Sequence, residues 1–418
     1  MKDMTAVILA AGKGTRMRSG TPKVLHEVLG RPMLRYVIDA VKGAGISNII
    51  VVIGHGSAAV RDLLKTEGVT VVEQKKLLGS GDAVMTAKKA LGSYAGDILV
   101  ICGDTPLIRK ETVQSIIEKH KSSGASATIL TAILKDPTGY GRIVRGSDGR
   151  ITKIVEDQEA SLYEEVIEEI NVGTYCFRAA DLFAALGRTN DDNKKKEYFL
   201  TDAIGVFHRN NKPIESATAE DKSEIIGINS RKDLACATQI MKARVLDGIM
   251  AGGVTVQDPL STVIYPDVSI GQDTVIYSNT VIQSDVTIGS SCKIGPFARI
   301  RPGVVIGDRV EVGNFVELVK TRIGDDTKVK HHTYLGNATV GKKVNVGAGT
   351  ITANFNGRKK SETIIEDGAF IGVGAIFVAP VKVGKEAVVG AGCVVLKNHD
   401  VPRKATAVGV PSRILKKK

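Results

Sequence analysis

The chain has 418 residues, of which 43% are hydrophobic and 4% aromatic, and it carries a formal net charge of +12. This length exceeds one ordinary hydrophobic core, so two or three domains are expected. No apolar run is long enough to span a membrane, and the run Ala6–Ala11 is too short for a signal peptide, which favours a cytoplasmic protein without a membrane partner. The five scattered cysteines contain no Cys-x-x-Cys pair, which argues against disulfides and against a zinc site.

The positive charge favours polyanionic partners, which are either nucleic acids or phosphorylated small molecules. The basic residues are spread along the chain and accompany no nucleic-acid-binding motif. Phosphorylated small molecules are therefore the more specific prediction. A charge that only maintains solubility is the alternative.

The first half of the chain alternates between strand-like and helix-like segments. The apolar runs that predict strands are Thr5–Ala10, Asn48–Ile53, Val69–Val72, Asp97–Ile101 and Ala127–Ile133. The segments that predict helices are Met33–Ala44 and Lys110–Lys121. This alternation predicts an α/β domain with a Rossmann-like, mostly parallel sheet, in which ligands bind beyond the carboxyl ends of the strands.

The loop after the first predicted strand, LAAGKGTRM, has the composition of a phosphate-binding loop. Its two glycines let the backbone approach a phosphate, and nearby cations supply positive charge: Gly12, Gly14, Lys13, Arg16 and Lys23. The loop is not a P-loop, and Met17 occupies the third glycine position of the dinucleotide fingerprint. A glycine pair alone could be a simple turn, but the full string followed by Pro22-Lys23 is more specific.

A helix is predicted between the two halves of the chain. Leu234, Ala237, Met241, Val245 and Ile249 recur at helical spacing, and Gly252-Gly253 follows them. We therefore expect a first domain at residues 1–229, a linker helix at 230–253 and a second domain at 254–418.

The second half has an aliphatic residue at every sixth position. The positions are Ile264, Ile270, Ile276, Ile282, Ile288, Ile294, Ile300, Ile306, Val312, Leu318, Ile323, Val329, Leu335, Val340, Val346, Ile365, Ile371, Phe377, Val383, Val389 and Val395. Neither a helix nor an ordinary strand has this period. It predicts a parallel β-helix, in which each six-residue unit forms one flat face. An antiparallel sheet with regular turns would not keep so many positions in phase.

The repeat is irregular in one region. The step shortens by one residue at Ile323 and again at Val340, and a polar stretch interrupts it at Ala353–Glu362. Because a regular coil tolerates such irregularities only at a cost, they tend to mark function.

Two histidines lie between the shortened steps. His331 falls four positions before the inward Leu335, so it need not point into the core. A histidine can accept a proton from an attacking amine, because its pKa lies near the working pH. A single histidine is more often an ordinary surface residue.

The motifs occur in an order that resembles a known family. LAAGKGTRM with Pro22-Lys23 is similar to the signature of sugar-1-phosphate nucleotidyltransferases. The resemblance continues at Gln74, Leu78–Gly81, Cys102–Asp104, Asp136–Ile143, Glu156, Glu169–Asn171 and Gly227–Asn229. Together with the repeat, the chain resembles the bifunctional N-acetylglucosamine-1-phosphate uridyltransferase/glucosamine-1-phosphate N-acetyltransferase family over nearly all its length. This implies an α/β nucleotidyltransferase domain followed by a left-handed parallel β-helix of hexapeptide repeats.

For the first domain the resemblance implies uridylyl transfer from UTP with Mg²⁺. Asp104 follows an apolar strand, where a carboxylate can hold Mg²⁺ through oxygen, and the family pairs it with Asn229. Arg16 and Lys23 would stabilise the triphosphate and the departing pyrophosphate. The implied nucleotide-binding residues are Leu9, Ala10, Gly12, Lys13, Gly14, Lys23, Gln74, Gly79 and Ser80. The implied sugar-phosphate residues are Gly141, Glu156, Asn171 and Asn229.

Three of these residues also have a structural interpretation. Asp104 could cap a helix, and Gly141 and Asn171 could be turn residues. Cys102 stands where the family usually has an aromatic residue, so sugar packing there is expected to differ.

For the second domain the resemblance implies acetyl transfer from acetyl-CoA, with His331 as the base. The implied sugar-phosphate residues are Arg301, Tyr334, Asn345 and Lys360, and the implied acetyl-CoA residues are Asn354, Val373 and Ala391. Val319 stands at the position of a phosphate-binding lysine, with Lys320 next to it, and Val373 replaces a small hydroxyl residue. Lys382, Lys385 and Lys416–Lys418 could meet coenzyme A phosphates or be solvated.

The predicted protein is a bifunctional, homotrimeric enzyme that makes UDP-N-acetylglucosamine for cell-envelope synthesis and has no nucleic-acid partner. One alternative is a sugar-1-phosphate nucleotidyltransferase whose solenoid only trimerises or acetylates another amino sugar phosphate. The other is a basic scaffold that binds nucleic acid, which predicts salt-sensitive binding and no turnover.

Overall fold

A computed structural model of the chain describes residues 4–415 and contains two compact units with a boundary after Thr238. The boundary falls inside one long helix, Arg231–Ala251, which covers most of the predicted linker. Within residues 4–415, no helix has the length and apolar content needed to cross a bilayer.

The first unit is built on a mixed sheet in which four of the six neighbouring pairs along the main path are parallel. Its order is β11-β7-β10-β6-β1-β4-β5, with β10 antiparallel to β6 and β7, and the antiparallel pair β8-β9 attached to β10. The strands are β1 Met4–Ala10, β2 Glu27–Val28, β3 Arg31–Pro32, β4 Asn48–Ile53, β5 Thr70–Glu73, β6 Asp97–Cys102, β7 Ala127–Ile133, β8 Gly141–Arg145, β9 Ile151–Val155, β10 Glu169–Arg178 and β11 Ile214–Thr218. The short strands β2 and β3 pair only with each other.

Helices cover both faces of this sheet. The helices of the first unit are α1 Met33–Gly43, α2 Ser57–Leu64, α3 Ser80–Leu91, α4 Lys110–Ser123, α5 Leu162–Glu165, α6 Ala179–Leu186 and α7 Asp202–Arg209, and α8 Arg231–Ala251 continues into the second unit. Because helices cover both faces, the central strands are almost continuously apolar, and two separate clusters of buried side chains flank the sheet. The sheet brings the carboxyl ends of β1 and β6 side by side, since Leu9 is in register with Cys102.

The second unit is a solenoid with three flat faces, each a ladder of short strands. Face 1 contains Thr255–Val256, Val275–Ile276, Lys293–Ile294, Glu311–Asn314, Lys328–His331, Asn345–Val346, Phe370–Ile371, Val388–Val389, Thr406–Val408 and Arg413–Leu415. Face 2 contains Val263–Ile264, Val281–Ile282, Arg299–Ile300, Glu317–Val319, Tyr334–Gly336, Ile351–Ala353, Ile376–Val378 and Val394–Val395. Face 3 contains Val268–Ile270, Val286–Ile288, Val304–Ile306, Arg322–Ile323, Ala338–Val340, Thr363–Ile365 and Val381–Val383.

The six-residue pattern is confirmed as the core of a parallel β-helix. All of its aliphatic positions are buried except Ile270, which is partly buried. Thr352 continues the phase one step past Val346, although its side chain is polar. Its hydroxyl accepts a hydrogen bond from Gly336 N at 2.8 Å, which satisfies the buried oxygen.

The irregularities of the repeat all occur at the edge between faces 2 and 3. Both shortened steps turn there through a residue with positive φ, Lys320 at 47° and Asn337 at 50°. The polar interruption leaves the solenoid at this same edge, as a loop closed by an isolated bridge between Phe355 and Lys360.

The ladder of face 1 ends with a strand of opposite direction. The strand Arg413–Leu415 is antiparallel to Thr406–Val408, whereas all other pairs in the solenoid faces are parallel within the described residues.

We expect Leu318→Ala to lower the free energy of unfolding of the solenoid by about 2–5 kcal/mol, because Leu318 is fully buried and the neighbouring coils cannot close the cavity. Urea unfolding followed by circular dichroism measures this change. Val319→Ala, at the half-exposed neighbouring position, is the control and should cost much less. Equal costs for the two variants would contradict the inward direction of the periodic positions.

Candidate functional site

The loop between β1 and β2 curves back so that Gly14 lies against Lys23, which belongs to the same loop. Gly14 adopts φ 61°, and a Cβ added to it would lie 2.6 Å from Lys23 Cβ, so only glycine fits. At Gly12 an added Cβ would meet nothing within 4 Å. The backbone at Gly12 therefore faces open space that a phosphate can enter.

Lys23 connects the two predicted metal-binding residues. Its Nζ forms an ion pair with Asp104 Oδ2 and donates a hydrogen bond to Asn229 Oδ1 at 2.6 Å. The side chains of Lys23 and Asp104 are only 12% and 22% exposed. One positive charge thus already lies between two hard oxygen donors.

The position of Asn229 is fixed by the start of α8. Asn229 N and Ser230 N both donate to Asp233 Oδ2, at 3.0 and 2.8 Å, and Ser230 Oγ accepts from Asp233 N at 3.2 Å. This reciprocal capping is typical of a helix N-terminus. Arg231 extends to the nucleotide loop and donates from Nε to Met17 O at 3.3 Å.

The donor set fits Mg²⁺. The ion prefers carboxylate and amide oxygens, needs only one or two of them from the protein, and takes the rest from phosphates and water. Within residues 4–415, no group of three or more His, Cys, Asp and Glu side chains is placed to hold a metal ion. The pair Asp104 and Asn229 therefore suits an ion that is bound together with a nucleotide.

Gln74 holds the second wall of the cleft in place. Its buried side-chain amide donates to Gly79 O at 3.0 Å and to Asp82 Oδ2 at 2.7 Å. Gly79 has φ 109°, and a Cβ there would lie 2.5 Å from Tyr198 O. Ser80 Oγ accepts from Leu200 N at 3.0 Å. The loop that precedes α3 is therefore fixed before any ligand binds.

The glycine loop and the segment that contains Gln74, Gly79 and Ser80 line one cleft of ≈ 500 Å³. Its predicted lining residues are Leu9, Gly12, Lys13, Gly14, Gln74, Gly79, Ser80 and Asp104, and its additional ones are Ala11, Thr15, Leu77, Ala83, Cys102 and Glu197. Ala10, Arg16, Lys23, Gly141, Glu156, Asn171 and Asn229 do not line this cleft. Glu197 carries no motif in the sequence and enters only because residues 197 and 198 pack against Gly79.

Two of the predicted sugar residues are neighbours across strands. Asn171 is in register with Gly141, and the two are followed by a bulge in β10 between Asn171 and Tyr175. Asn171 Nδ2 donates to Tyr175 OH at 2.7 Å, and Asn171 Oδ1 accepts from Gly173 N at 3.1 Å. The bulge places Gly173 O 3.7 Å from Cys102 Sγ, at the end of β6, two residues before Asp104.

Glu156 lies within electrostatic range of this group. Burial, with a smaller contribution from Glu156, raises the pKa of Tyr175 well above its usual value. Burial, followed by the Asp104 carboxylate, raises the pKa of the Cys102 thiol to about 12. Glu156 Oε1 accepts a hydrogen bond from Thr201 Oγ1 at 2.8 Å, and both residues line another cleft of ≈ 410 Å³.

In the solenoid, His331 lies at the edge between faces 1 and 2 and contacts Asn314 on the preceding coil. The two residues are in register, and His331 Nδ1 lies 2.9 Å from Asn314 Oδ1. Because Asn314 Oδ1 is an acceptor, Nδ1 donates and Nε2 keeps its lone pair. Asn314 lies 17 residues before His331 and had no predicted role.

Two of the predicted coenzyme residues, Val373 and Ala391, continue the same edge, whereas Asn354 follows face 2 at its edge with face 3. Backbone hydrogen bonds run from Gly349 N to His331 O, from Gly374 N to Ala348 O at 2.7 Å, and from Gly392 N to Val373 O at 2.7 Å. His331, Ala348, Val373 and Ala391 therefore form one column, each two residues after an inward aliphatic position. Beyond His331 the column consists of small side chains, which leaves room along the edge.

Face 2 carries a second group of predicted residues. Arg301 Nη1 lies 3.0 Å from Glu317 Oε1, and Glu317 is in register with Tyr334. A Cβ on Gly336 would lie 2.5 Å from Tyr334 OH and 2.9 Å from Asn354 Nδ2, so the phenol and the amide converge over this glycine.

Asn345 is separated from this group. It belongs to face 1, in register with Lys328 and Phe370, whereas Arg301 and Tyr334 belong to face 2. Lys360 is exposed on the loop and lines a cleft of ≈ 320 Å³ with Lys320 and Arg322.

Two of the lysines that were predicted to meet coenzyme A phosphates contact Glu366 instead, one through its side chain and one through its backbone. Lys382 forms an ion pair with Glu366 at 2.6 Å, and the backbone N of Lys385 donates to the same carboxylate at 2.9 Å. Lys416–Lys418 lie outside the described residues.

Two protein-family models match the chain, one in each of its two units. Residues 6–198 match the family described as MobA-like NTP transferase domain, and residues 282–407 match the family described as GMPPB C-terminal domain. The protein named Bifunctional protein GlmU from Exiguobacterium sp. is 44% identical, over 96% of this chain and 96% of the relative. Proteins of the same name from Heliobacterium modesticaldum and Shouchella clausii are 44% and 42% identical, each over 98% of this chain and 96% of the relative.

We expect iodoacetamide at pH 8 to modify Cys236 first and Cys102 much more slowly. Cys236 is exposed, whereas the raised pKa of Cys102, about 12, keeps its thiol protonated at all lower pH values, and only thiolates react. Mass spectrometry of the alkylated peptides measures both rates. Cys236→Ser should remove the fast reaction, and labelling of Cys102 as fast as Cys236 would contradict the buried environment.

Proposed function

Because the chain belongs to the family of bifunctional GlmU proteins, we propose that it makes UDP-N-acetylglucosamine at two sites. The solenoid transfers an acetyl group from acetyl-CoA to glucosamine-1-phosphate. The α/β unit then joins N-acetylglucosamine-1-phosphate to UTP and releases pyrophosphate. The observation that carries the second step is the pair of oxygen donors around Lys23 beside the glycine loop.

Uridylyl transfer needs positioning and charge neutralisation more than a general base, because the attacking phosphate is already an anion. A sugar-phosphate oxygen attacks the α-phosphorus of UTP, and the bond from that phosphorus to the pyrophosphate oxygen breaks. Asp104 and Asn229 would hold Mg²⁺, which when bound neutralises phosphate charge. Lys23 is placed to add positive charge to the triphosphate, and we assign the same role to Arg16, which is exposed on the loop.

The cleft walls divide substrate binding. The nucleotide lies along the glycine loop and against Gln74, Gly79 and Ser80, whose backbone groups are fixed by protein contacts. The sugar phosphate lies toward Gly141, Asn171 and Glu156. Support for this second assignment comes from the β10 bulge, which connects Asn171 through Gly173 to Cys102.

Acetyl transfer requires a base for the amine. His331 Nδ1 donates to Asn314, so Nε2 is free to accept a proton. The amine nitrogen attacks the thioester carbonyl carbon, the C–S bond breaks, and the proton that His331 took from the amine passes to the departing coenzyme A sulfur. Val373 and Ala391 continue the edge on which His331 lies and leave room for the coenzyme.

The acceptor is held from two directions. Arg301 and Tyr334 act from face 2, and Lys360 from the loop. Asn345 lies on face 1, apart from them, and we infer that one chain does not bring all of these residues to one ligand. We therefore assign the protein as a homotrimer in which a second copy supplies the missing side chains. Its place is the cytoplasm, where UTP and acetyl-CoA are available.

Asp104→Asn and Lys23→Ala are expected to lower uridylyl transfer by about 10²–10³-fold, because each removes charge from the site of phosphate transfer. Release of pyrophosphate from UTP and N-acetylglucosamine-1-phosphate measures this. Acetyl transfer by the same preparations should be unchanged. Uridylyl transfer at the wild-type rate in both variants would refute the site.

His331→Ala is expected to lower acetyl transfer by about 10²–10⁴-fold through loss of the base. Thiol release from acetyl-CoA with glucosamine-1-phosphate measures the rate, and uridylyl transfer should stay intact. The matched control is His332→Asn, because His332 has φ 44° and asparagine tolerates this conformation. If both variants keep full acetyl transfer, the base lies elsewhere. If the wild type releases no thiol, the solenoid acts on another acceptor or only as a scaffold.

A further inference from the structure

The two predicted metal-binding residues lie on chain segments that are tied together at two places. Asp104 begins the segment 104–109, which leads into α4, and Asn229 ends the segment 224–229, which leads into α8. The first tie is next to the metal-binding residues, where Ile228 N donates to Asp104 O at 2.9 Å.

The second tie is at the far ends of the same segments. Glu224 Oε2 accepts hydrogen bonds from Arg109 N at 2.9 Å and from Thr112 Oγ1 at 2.6 Å. Its other oxygen, Oε1, lies 3.4 Å from Arg109 Nε. These three residues form what we call the Arg109–Glu224 clasp.

The clasp differs from an ordinary surface ion pair because its carboxylate is buried. The Glu224 side chain is only 5% exposed, and its charge faces the N-terminus of α4, where unpaired N–H groups favour an anion. Arg109 also reaches Asp221 Oδ2 with Nη2 at 2.7 Å, so one guanidinium holds both ends of the turn 221–225. Removing the buried carboxylate would leave several donors unpaired.

Rigid packing connects the clasp to the site. Ile225 is 2% exposed and Ile228 is fully buried, so the segment between Glu224 and Asn229 is anchored in the core. A shift at Glu224 is therefore not absorbed by a flexible loop. Mg²⁺ demands near-ideal octahedral geometry, so its affinity is sensitive to small changes in the positions of two ligands.

We propose that the Arg109–Glu224 clasp is a positioning device that sets the separation of Asp104 and Asn229 and thereby the metal affinity of the uridylyl-transfer site. The inference rests on the proposed function, because it takes Asp104 and Asn229 as the metal-binding residues. Glu224 and Arg109 touch neither substrate nor metal in this assignment.

Glu224→Gln in the full-length chain tests the clasp. We expect the dissociation constant for Mn²⁺, measured by the electron paramagnetic resonance signal of the free ion in the presence of UDP-N-acetylglucosamine, to rise about tenfold. The Mg²⁺ concentration for half-maximal uridylyl transfer should rise by the same factor, and kcat at saturating Mg²⁺ should stay near the wild-type value. Glu111→Gln is the matched control, since it removes the same charge from an exposed position in the first turn of α4.

The outcomes separate the clasp from the proposed function. If Asp104→Asn does not weaken Mn²⁺ binding, the metal site itself is wrong. If Asp104→Asn abolishes Mn²⁺ binding and Glu224→Gln leaves the affinity unchanged, the metal site stands and the clasp is overturned. Binding of UDP-N-acetylglucosamine in the presence of EDTA reports whether Glu224→Gln is folded. If Glu224→Gln is unfolded, Thr112→Val replaces it in the test, because it removes only one hydrogen bond to Glu224. A smaller rise in the Mn²⁺ dissociation constant then supports the clasp, and no rise overturns it.

Discussion

The hydrogen-bond ladder between successive coils is the constraint on which the solenoid depends. Each coil must pair its backbone groups with the coil above and below, so residues at equal phase stack in straight columns. This is why His331 contacts Asn314, and why Ala348, Val373 and Ala391 continue the same edge. A residue inserted at one coil would displace every later column. The two shortened steps avoid this because they occur at the same edge in successive coils and remain stacked on each other.

The α/β unit is subject to a different constraint, because it must hold charged side chains close together without a ligand. Asp104 and Asn229 are far apart in sequence but meet because their segments exchange a backbone hydrogen bond and share Lys23. The lysine ammonium offsets the carboxylate charge in the half-buried cleft, where an unpaired charge would be costly. The site is therefore preorganised around positive charge before nucleotide and metal arrive.

Much of this was accessible from the sequence, and for identifiable reasons. The aliphatic period predicts the solenoid because each position has a single inward direction, and the apolar runs predict β1, β4, β6 and β7 because these strands are buried on both faces. Other features had no local signal. In the sequence, the polar Thr352 indicates that the aliphatic pattern has ended. In the structure its buried hydroxyl accepts a hydrogen bond from the backbone of Gly336, so the pattern continues. Glu224 and Arg109 are 115 residues apart, and Asn314 and His331 are 17 apart. Their pairing depends on the folded path of the chain.

The reversed strand Arg413–Leu415 has a consequence for assembly. If the last strand of a solenoid face were parallel to the others, its unpaired backbone groups would match those that each coil offers to the next coil. Identical molecules could then join end to end into fibres. The antiparallel strand occupies this edge at Thr406–Val408. An incoming copy would meet a strand of the wrong direction. On face 1 the reversed strand therefore opposes parallel growth along the solenoid axis, and the sides of the solenoid remain for specific contacts.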